Sequence, residues 1–185
     1  MRKFLRQALS HLPADPAALG LRAADLGCQR GYDTSILLHL GWRVLAVDSN
    51  AKALEDLRQN LLPKDDGRLE IKAAKFESLE LPPLDFIYAG YSLPFCMPDA
   101  FPLFWESICN ALSPEGVFAG QLFGPRDTWA SETPKPQILF HERAEVEAML
   151  GACKVLLLNE FEEDAPSFSG PKHWHVYDII VRKQG

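Results

Sequence analysis

The sequence predicts a doubly wound α/β fold: a mostly parallel seven-stranded sheet, helices on both faces, and an antiparallel C-terminal strand. Apolar runs of strand length alternate with stretches of helical period along the chain. Glycine, proline, asparagine and aspartate punctuate the joins, where caps and turns need them. The last two strands have no helix between them, and so short a connection favours a hairpin over a parallel crossover.

Leu21–Leu26 reads as a buried strand and Gly31–Leu40 as a helix, with Asp33 and Thr34 in its first turn and Gly41 as its stop. Arg43–Val47 is the second strand. Asn50 caps a helix running to Leu61, which the turn Pro63-Lys64-Asp65-Asp66-Gly67 ends. Leu69–Ala73 and Leu84–Ala89 are strands; Ala100–Leu112 is a helix that tolerates Pro102 in its first turn. Ser113-Pro114-Glu115-Gly116 turns into a strand at Val117–Leu122. A proline-bearing loop, Gly124–Gln137, leads to a helix at Glu142–Leu150, and strands at Lys154–Phe161 and His173–Arg182 close the chain. Residues 1–20 read as an N-terminal helical extension, and nothing marks a second domain, so 1–185 is expected to be one domain.

Composition narrows the function classes. The net charge is −6 and no basic cluster occurs, so nucleic acid is a disfavoured partner. Arg6, Gln7 and His11 interrupt what would be the apolar run of a signal peptide, and no stretch is long enough to span a bilayer; a cytoplasmic protein without membrane contact is expected. The four cysteines, at 28, 96, 109 and 153, form no CxxC pair, which argues against a zinc site or a redox motif. His173 and His175 would share one face of a strand, but no third ligand lies near in sequence, so no metal is expected. His11, His39 and His141 read as surface or packing residues.

In open α/β sheets ligands bind outside the carboxyl ends of the strands, near the switch in strand order. The loops there are Gly27–Gly31, Asp48–Asn50, Ala74–Ser78, Gly90–Pro98, Phe123–Gln137 and Glu162–Lys172. The first, within Ala24-Asp25-Leu26-Gly27-Cys28-Gln29-Arg30-Gly31-Tyr32, joins strand to helix, where glycines admit a ligand close to backbone N–H groups. Asp48, ending the second strand, is placed to accept both hydroxyls of a ribose. Together they point to an adenosine-type cofactor. A dinucleotide fingerprint needs GxGxxG, whereas Gly27 and Gly31 are separated by Cys28, Gln29 and Arg30.

The Asp25-x-Gly27-x-x-x-Gly31 pattern resembles the first motif of the class I S-adenosylmethionine-dependent methyltransferases, with Gln29 where the family usually has its middle glycine. Asp85–Phe95 resembles the family's fourth motif, and Ala111-Leu112-Ser113-Pro114-Glu115-Gly116-Val117-Phe118 the turn before its fifth strand. Gly120–Trp129 and Lys172-His173-Trp174-His175 are similar to the tellurite-resistance-type subgroup. The resemblance covers nearly the whole chain and implies a Rossmann-like fold, S-adenosylmethionine as cofactor and methyl transfer as the activity. Carried over by position, it implies that Asp25, Gly27, Gln29 and Gly31 surround the methionine part of the cofactor. Asp48 and Ser49 would hold the ribose, Phe76 and Glu77 the adenine, and the Gly90 carbonyl the ammonium. Lys75 stands where the family often has an acid.

Methyl transfer from a sulfonium is an in-line displacement, so the protein mainly aligns the acceptor and excludes water. Tyr91 and Phe95 follow the fourth strand and are expected to border the methyl group. Arg126 is a candidate to hold an anion and Trp129 to cover the site, although an Arg126–Asp127 ion pair and simple loop packing account for them equally well. His173 is the candidate base on the acceptor side, with Tyr91 as the second catalytic candidate. The acidic run Glu160–Asp164 reads as a solvated loop. A small-molecule acceptor is the leading expectation; the alternatives are a non-catalytic S-adenosylmethionine-binding regulatory or partner subunit and an NAD-dependent oxidoreductase.

Overall fold

The computed structural model describes residues 1–61, 67–132, 137–167 and 169–184. Its sheet has the order β3-β2-β1-β4-β5-β7-β6. The strands are β1 (Arg22–Leu26), β2 (Arg43–Asp48), β3 (Leu69–Ala73), β4 (Leu84–Ala89), β5 (Leu112–Phe123), β6 (Cys153–Ser167) and β7 (Gly170–Lys183). β1 to β5 run parallel, and β7 runs antiparallel to both β5 and β6. The helices are α1 (Lys3–Leu9), α2 (Tyr32–His39), α3 (Ala51–Leu61), α4 (Phe101–Ala111) and α5 (Arg143–Leu150). Among the described residues no helix is long and apolar enough to cross a membrane.

The strands read as continuous apolar runs because helices cover both faces of the sheet. On one face Ala24, Leu26, Leu45, Val47, Ile87 and Phe118 pack against Phe104, Trp105 and Ile108 of α4 and Val146 and Leu150 of α5. On the other, Ala23, Val44, Phe86 and Tyr88 meet Leu5 and Ala8 of α1, Leu37 of α2 and Trp42. Leu54 and Leu57 bring α3 onto Cys28 and Ala46.

Local chemistry sets the helix ends. The Asn50 side chain accepts from the N–H groups of Lys52 and Ala53, both at 3.1 Å, and so caps α3. Glu142 and Glu145 form a reciprocal capping box at the start of α5.

Two expectations change. The connection 162–172 is not a loop: β6 and β7 stay paired from Cys153↔Lys183 to Ser167↔Gly170. The acidic run that looked solvated lies on β6, where Glu162, Glu163 and Asp164 face His175, Trp174 and His173 across the ladder. Cross-strand ion pairs stabilise this extension, and hydropathy does not register them. Ser113–Gly116 is absorbed into β5, where Leu112 pairs with Leu84, the register shifts before Phe86↔Val117, and Glu115 takes φ +62°. The expected turn at 63–66 lies outside the described residues, as do residues 133–136 of the loop after β5.

Gly31 is the N-cap of α2 with φ +83°, and a Cβ there would sit 2.8 Å from Leu57 Cγ of α3. Gly31→Ala therefore meets both a left-handed backbone and a filled space, and should lower unfolding stability by about 1–3 kcal/mol in urea titration.

Candidate active site

The strand order reverses between β1 and β4, and the loops following these strands frame a cavity of about 390 Å³ at their carboxyl ends. The β1–α2 loop is built around two acceptors. The Val47 carbonyl receives the N–H groups of Gly27 and Cys28 at 2.8 and 3.0 Å. The Asp48 carboxylate receives the Gln29 N–H on Oδ2 and the Asn50 N–H on Oδ1, both at 2.8 Å.

Alternate residues of this loop are left-handed: Gly27 has φ +78°, Gln29 +48° and Gly31 +83°. Gln29 thus takes the conformation a glycine would supply, at a cost of about 1–2 kcal/mol that its bond to Asp48 helps to offset. The substitution of the middle glycine leaves the alternating geometry in place. Gly27 is required sterically, because an added Cβ would collide with Ser92 Cβ. The Ser92 hydroxyl donates to the Leu26 carbonyl at 2.5 Å and fixes that close approach of the two loops.

Of the residues singled out from sequence, Gly27, Gln29, Asp48, Ser49, Phe76, Glu77, Gly90, Tyr91 and Phe95 line this one cavity. Asn50, Ala74, Lys75, Ser92 and Met97 complete the lining; all five lie in loops that the sequence places at this edge, although none was singled out as a ligand-binding residue. Asp25 and Gly31 lie outside the lining. Asp25 is buried and accepts from the Thr34 hydroxyl at 2.6 Å, so it braces β1 against α2 beneath the loop. Burial pushes its carboxyl up to about 7; the Thr34 hydrogen bond opposes that shift and the nearby Asp33 adds to it.

Glu77 accepts from the Met97 N–H at 2.9 Å, and the Phe76 ring stacks on Phe104 with centroids 4.9 Å apart, so both are held in fixed orientations. Tyr91 has φ +57° and its N–H donates to Gln121 Oε1 at 3.1 Å. Burial pushes its phenol up to about 12, so it stays protonated at neutral pH.

Arg126, Trp129 and His173 are outside the lining. Arg126 is paired with the acidic run of β6: Nη2 donates to Glu160 at 2.8 Å and Nε to Glu162 at 2.9 Å. The Arg126–Asp127 pair considered from sequence is therefore replaced by two partners on β6. The hydrogen bonds with His175 and then Arg126 hold Glu160 down at about 2, and those with Arg126 and then His173 do the same for Glu162. His173 faces outward, its imidazole bonded to Glu162 at 3.0 Å and Asp164 at 2.8 Å, which raises its pKa. Trp129 is buried against Phe123, Phe95 and Trp174. No group of metal-ligating side chains occurs among the described residues.

A family model described as "Methyltransferase domain" matches residues 23–116, just over half of the chain. The chain belongs to the S-adenosylmethionine-dependent methyltransferases. Solved members of similar fold include TehB from Haemophilus influenzae, at TM-score 0.82 and 16% identity, covering 100% of this chain. The match spans 63% of the length of that TehB chain. A S-adenosylmethionine-dependent methyltransferase from Methanosarcina mazei aligns at TM-score 0.73 and 16% identity over 100% of this chain and 98% of its own. The 1,6-didemethyltoxoflavin-N1-methyltransferase of Burkholderia thailandensis, solved with 1,6-didemethyltoxoflavin and S-adenosylhomocysteine, aligns at TM-score 0.66 and 21% identity over 99% and 79%. No curated protein matches the sequence.

The cavity fits the cofactor of this methyltransferase family. Each Asp48 oxygen accepts one backbone N–H, and a carboxylate oxygen has a further lone pair for a ribose hydroxyl. Gly27 and Gly90 both stand in the lining.

The raised Asp25 pKa also makes a prediction about this methyltransferase's stability. A carboxyl raised from 3.8 to about 7 contributes stability that is fully present below its unfolded value and is lost as pH rises toward 7. Asp25→Asn removes that dependence. Urea titrations should find the variant gaining on the wild type by about 2–3 kcal/mol between pH 5 and pH 8. An unchanged gap would show that Asp25 ionises normally in the fold.

Proposed function

We propose that this chain methylates a small-molecule acceptor, with Asp48 and Ser49 holding the cofactor ribose, Gly27, Gln29 and Gly90 its methionine end, and Phe76 and Glu77 its adenine. Bound S-adenosylmethionine supplies an electrophilic methyl group. The observation that carries the reading is one cavity whose lining holds the Asp48 carboxylate together with two aromatic side chains, Tyr91 and Phe95. Its volume lies in the range of small-molecule sites. The didemethyltoxoflavin methyltransferase of similar fold was solved with 1,6-didemethyltoxoflavin bound, which supports a small-molecule acceptor. A cytoplasmic location rests on the sequence alone.

The same geometry favours an acceptor that needs no deprotonation. Tyr91 is held protonated, and His173 lies outside the lining with its imidazole engaged by two carboxylates. Tyr91 then serves to orient the acceptor through its phenol, and the acceptor brings its own lone pair. Once a substrate is in hand, kcat/KM should follow only the acceptor's own ionisation and stay flat above the acceptor pKa. A further inflection near neutral pH that persists in Asp25→Asn, and so is not the titration of Asp25, would reveal a protein base and contradict this part of the reading.

The direct test is thermal stabilisation by S-adenosylmethionine, S-adenosylhomocysteine and NAD, for the wild type and Asp48→Ala. Ligand at a hundred times its dissociation constant adds about 2.7 kcal/mol of stability. Both sulfur ligands should stabilise the wild type and do so weakly in Asp48→Ala, while NAD does not. Preference for NAD would favour an oxidoreductase. Sulfur-ligand binding without transfer to any acceptor would favour a regulatory subunit.

A further inference from the structure

The most unusual buried group lies behind the cavity wall. The Lys172 ammonium, its side chain 1% exposed, is ion-paired with the fully buried carboxylate of Asp127. It also lies over three rings, with centroid distances of 3.4 Å to Trp174, 4.1 Å to Trp129 and 4.9 Å to Phe123. Asp127 Oδ1 accepts from the Trp129 N–H at 3.0 Å, so the same carboxylate starts the turn that carries Trp129. Desolvation offsets much of what a buried ion pair gains, so stability is a weak reason to keep one. Its geometry gives a better one: a cation over ring faces fixes how those rings stand.

Those rings support the aromatic side chains in the cavity lining. Trp174 meets Tyr91 edge-on at 5.7 Å, and Trp129 meets Phe95 edge-on at 6.4 Å. Phe123 touches both, at 6.3 Å each. Phe95 nevertheless leaves 46% of its surface exposed, and Met97 beside it 39%, apolar area that a ligand ring would cover. The charge of the lining disfavours an anion there: Asp48 and Glu77 outnumber Lys75, and the Arg126 guanidinium is spent on Glu160 and Glu162.

We propose that the aromatic end of the cavity takes a flat, uncharged aromatic heterocycle, and that Asp127 and Lys172 are the positioning pair that sets its wall. This rests on the methyltransferase reading above. The pair touches neither cofactor nor acceptor; it acts through Trp129, Trp174 and Phe123 on Phe95 and Tyr91.

The test uses calorimetry in two stages on the full chain. S-adenosylhomocysteine is titrated first, so that failure of the cofactor reading appears as no binding in the wild type. The saturated protein is then titrated with quinoline, with octahydrochromene, an uncharged saturated bicycle of the same ring size, and with quinoline-4-carboxylate, which adds a negative charge. Quinoline should bind at least about tenfold more tightly than either of the others. The double variant Lys172→Met with Asp127→Leu leaves no unpaired buried charge; Asp127→Asn is the near-isosteric second variant should the double one not fold. In either, S-adenosylhomocysteine affinity should stay within about twofold while quinoline affinity falls about tenfold, a split that general destabilisation would not produce. Equal binding of the saturated or carboxylated probe overturns the acceptor class. A folded variant that binds quinoline like the wild type overturns the positioning role.

Discussion

The site depends on one carboxylate. Asp48 ends β2, and its two oxygens gather the N–H of Gln29 from the neighbouring loop and that of Asn50 from the start of α3. Without those bonds the β1–α2 loop would have little to hold Gln29 in a left-handed conformation that side chains avoid. The Val47 carbonyl does the complementary work one residue earlier by receiving Gly27 and Cys28. The edge of β2 therefore templates the loop of β1. The groups that shape the cavity are the groups proposed to hold the ribose, so on that reading little reorganisation is required on binding.

The C-terminal hairpin backs the aromatic side of the lining, where Trp174 packs against Tyr91. Because β6 and β7 continue as a paired ribbon to Ser167↔Gly170, they reach beyond the sheet edge and carry Lys172, His173, Trp174 and His175 to the segment after β5. Arg126 and Thr128 of that segment are tied to the ribbon, Arg126 through Glu160 and Glu162 and Thr128 through the His173 backbone. His175 is enclosed between them: its Nδ1 accepts from the Arg126 N–H, and its Nε2 lies 2.9 Å from the Glu160 carboxylate and 3.0 Å from Arg126 Nη2. Exposed ion pairs of this kind are individually worth little, but as a ladder they keep the acidic β6 run from fraying into solvent.

Most of the sheet was legible because its strands are buried on both faces and read as uninterrupted apolar runs, as at Leu84–Ala89 and Val117–Leu122. The grouping of the candidate residues was legible too, since glycines and an acid at strand ends mark the edge where ligands bind, and Gly27, Gln29, Asp48 and Gly90 do share one cavity. Gln29 looked like a departure but kept the glycine's conformation, which residue identity alone does not reveal. What was not legible depended on pairings distant in sequence. Glu160 and Glu162 read as solvated because their partners Arg126, His173 and His175 lie on other strands and loops. Lys172 belonged to a run that resembled the subgroup, but nothing there marked it as buried: a lysine at the start of a strand reads as exposed until three rings and Asp127 are folded around it. Asp25 resembled a cofactor ligand, yet the fold turns it inward to Thr34.

The central claim is that a cofactor anchored at Asp48 presents its methyl group to Tyr91 and Phe95. S-adenosylmethionine enriched with ¹³C at the sulfonium methyl reads that placement directly by NMR, because the faces of nearby aromatic rings shift a methyl resonance upfield. The account predicts an upfield-shifted, broadened bound signal that returns toward its solution position in Tyr91→Leu with Phe95→Leu while binding persists. A bound signal that keeps its solution shift in the wild type would place the methyl away from the aromatic wall and contradict the account.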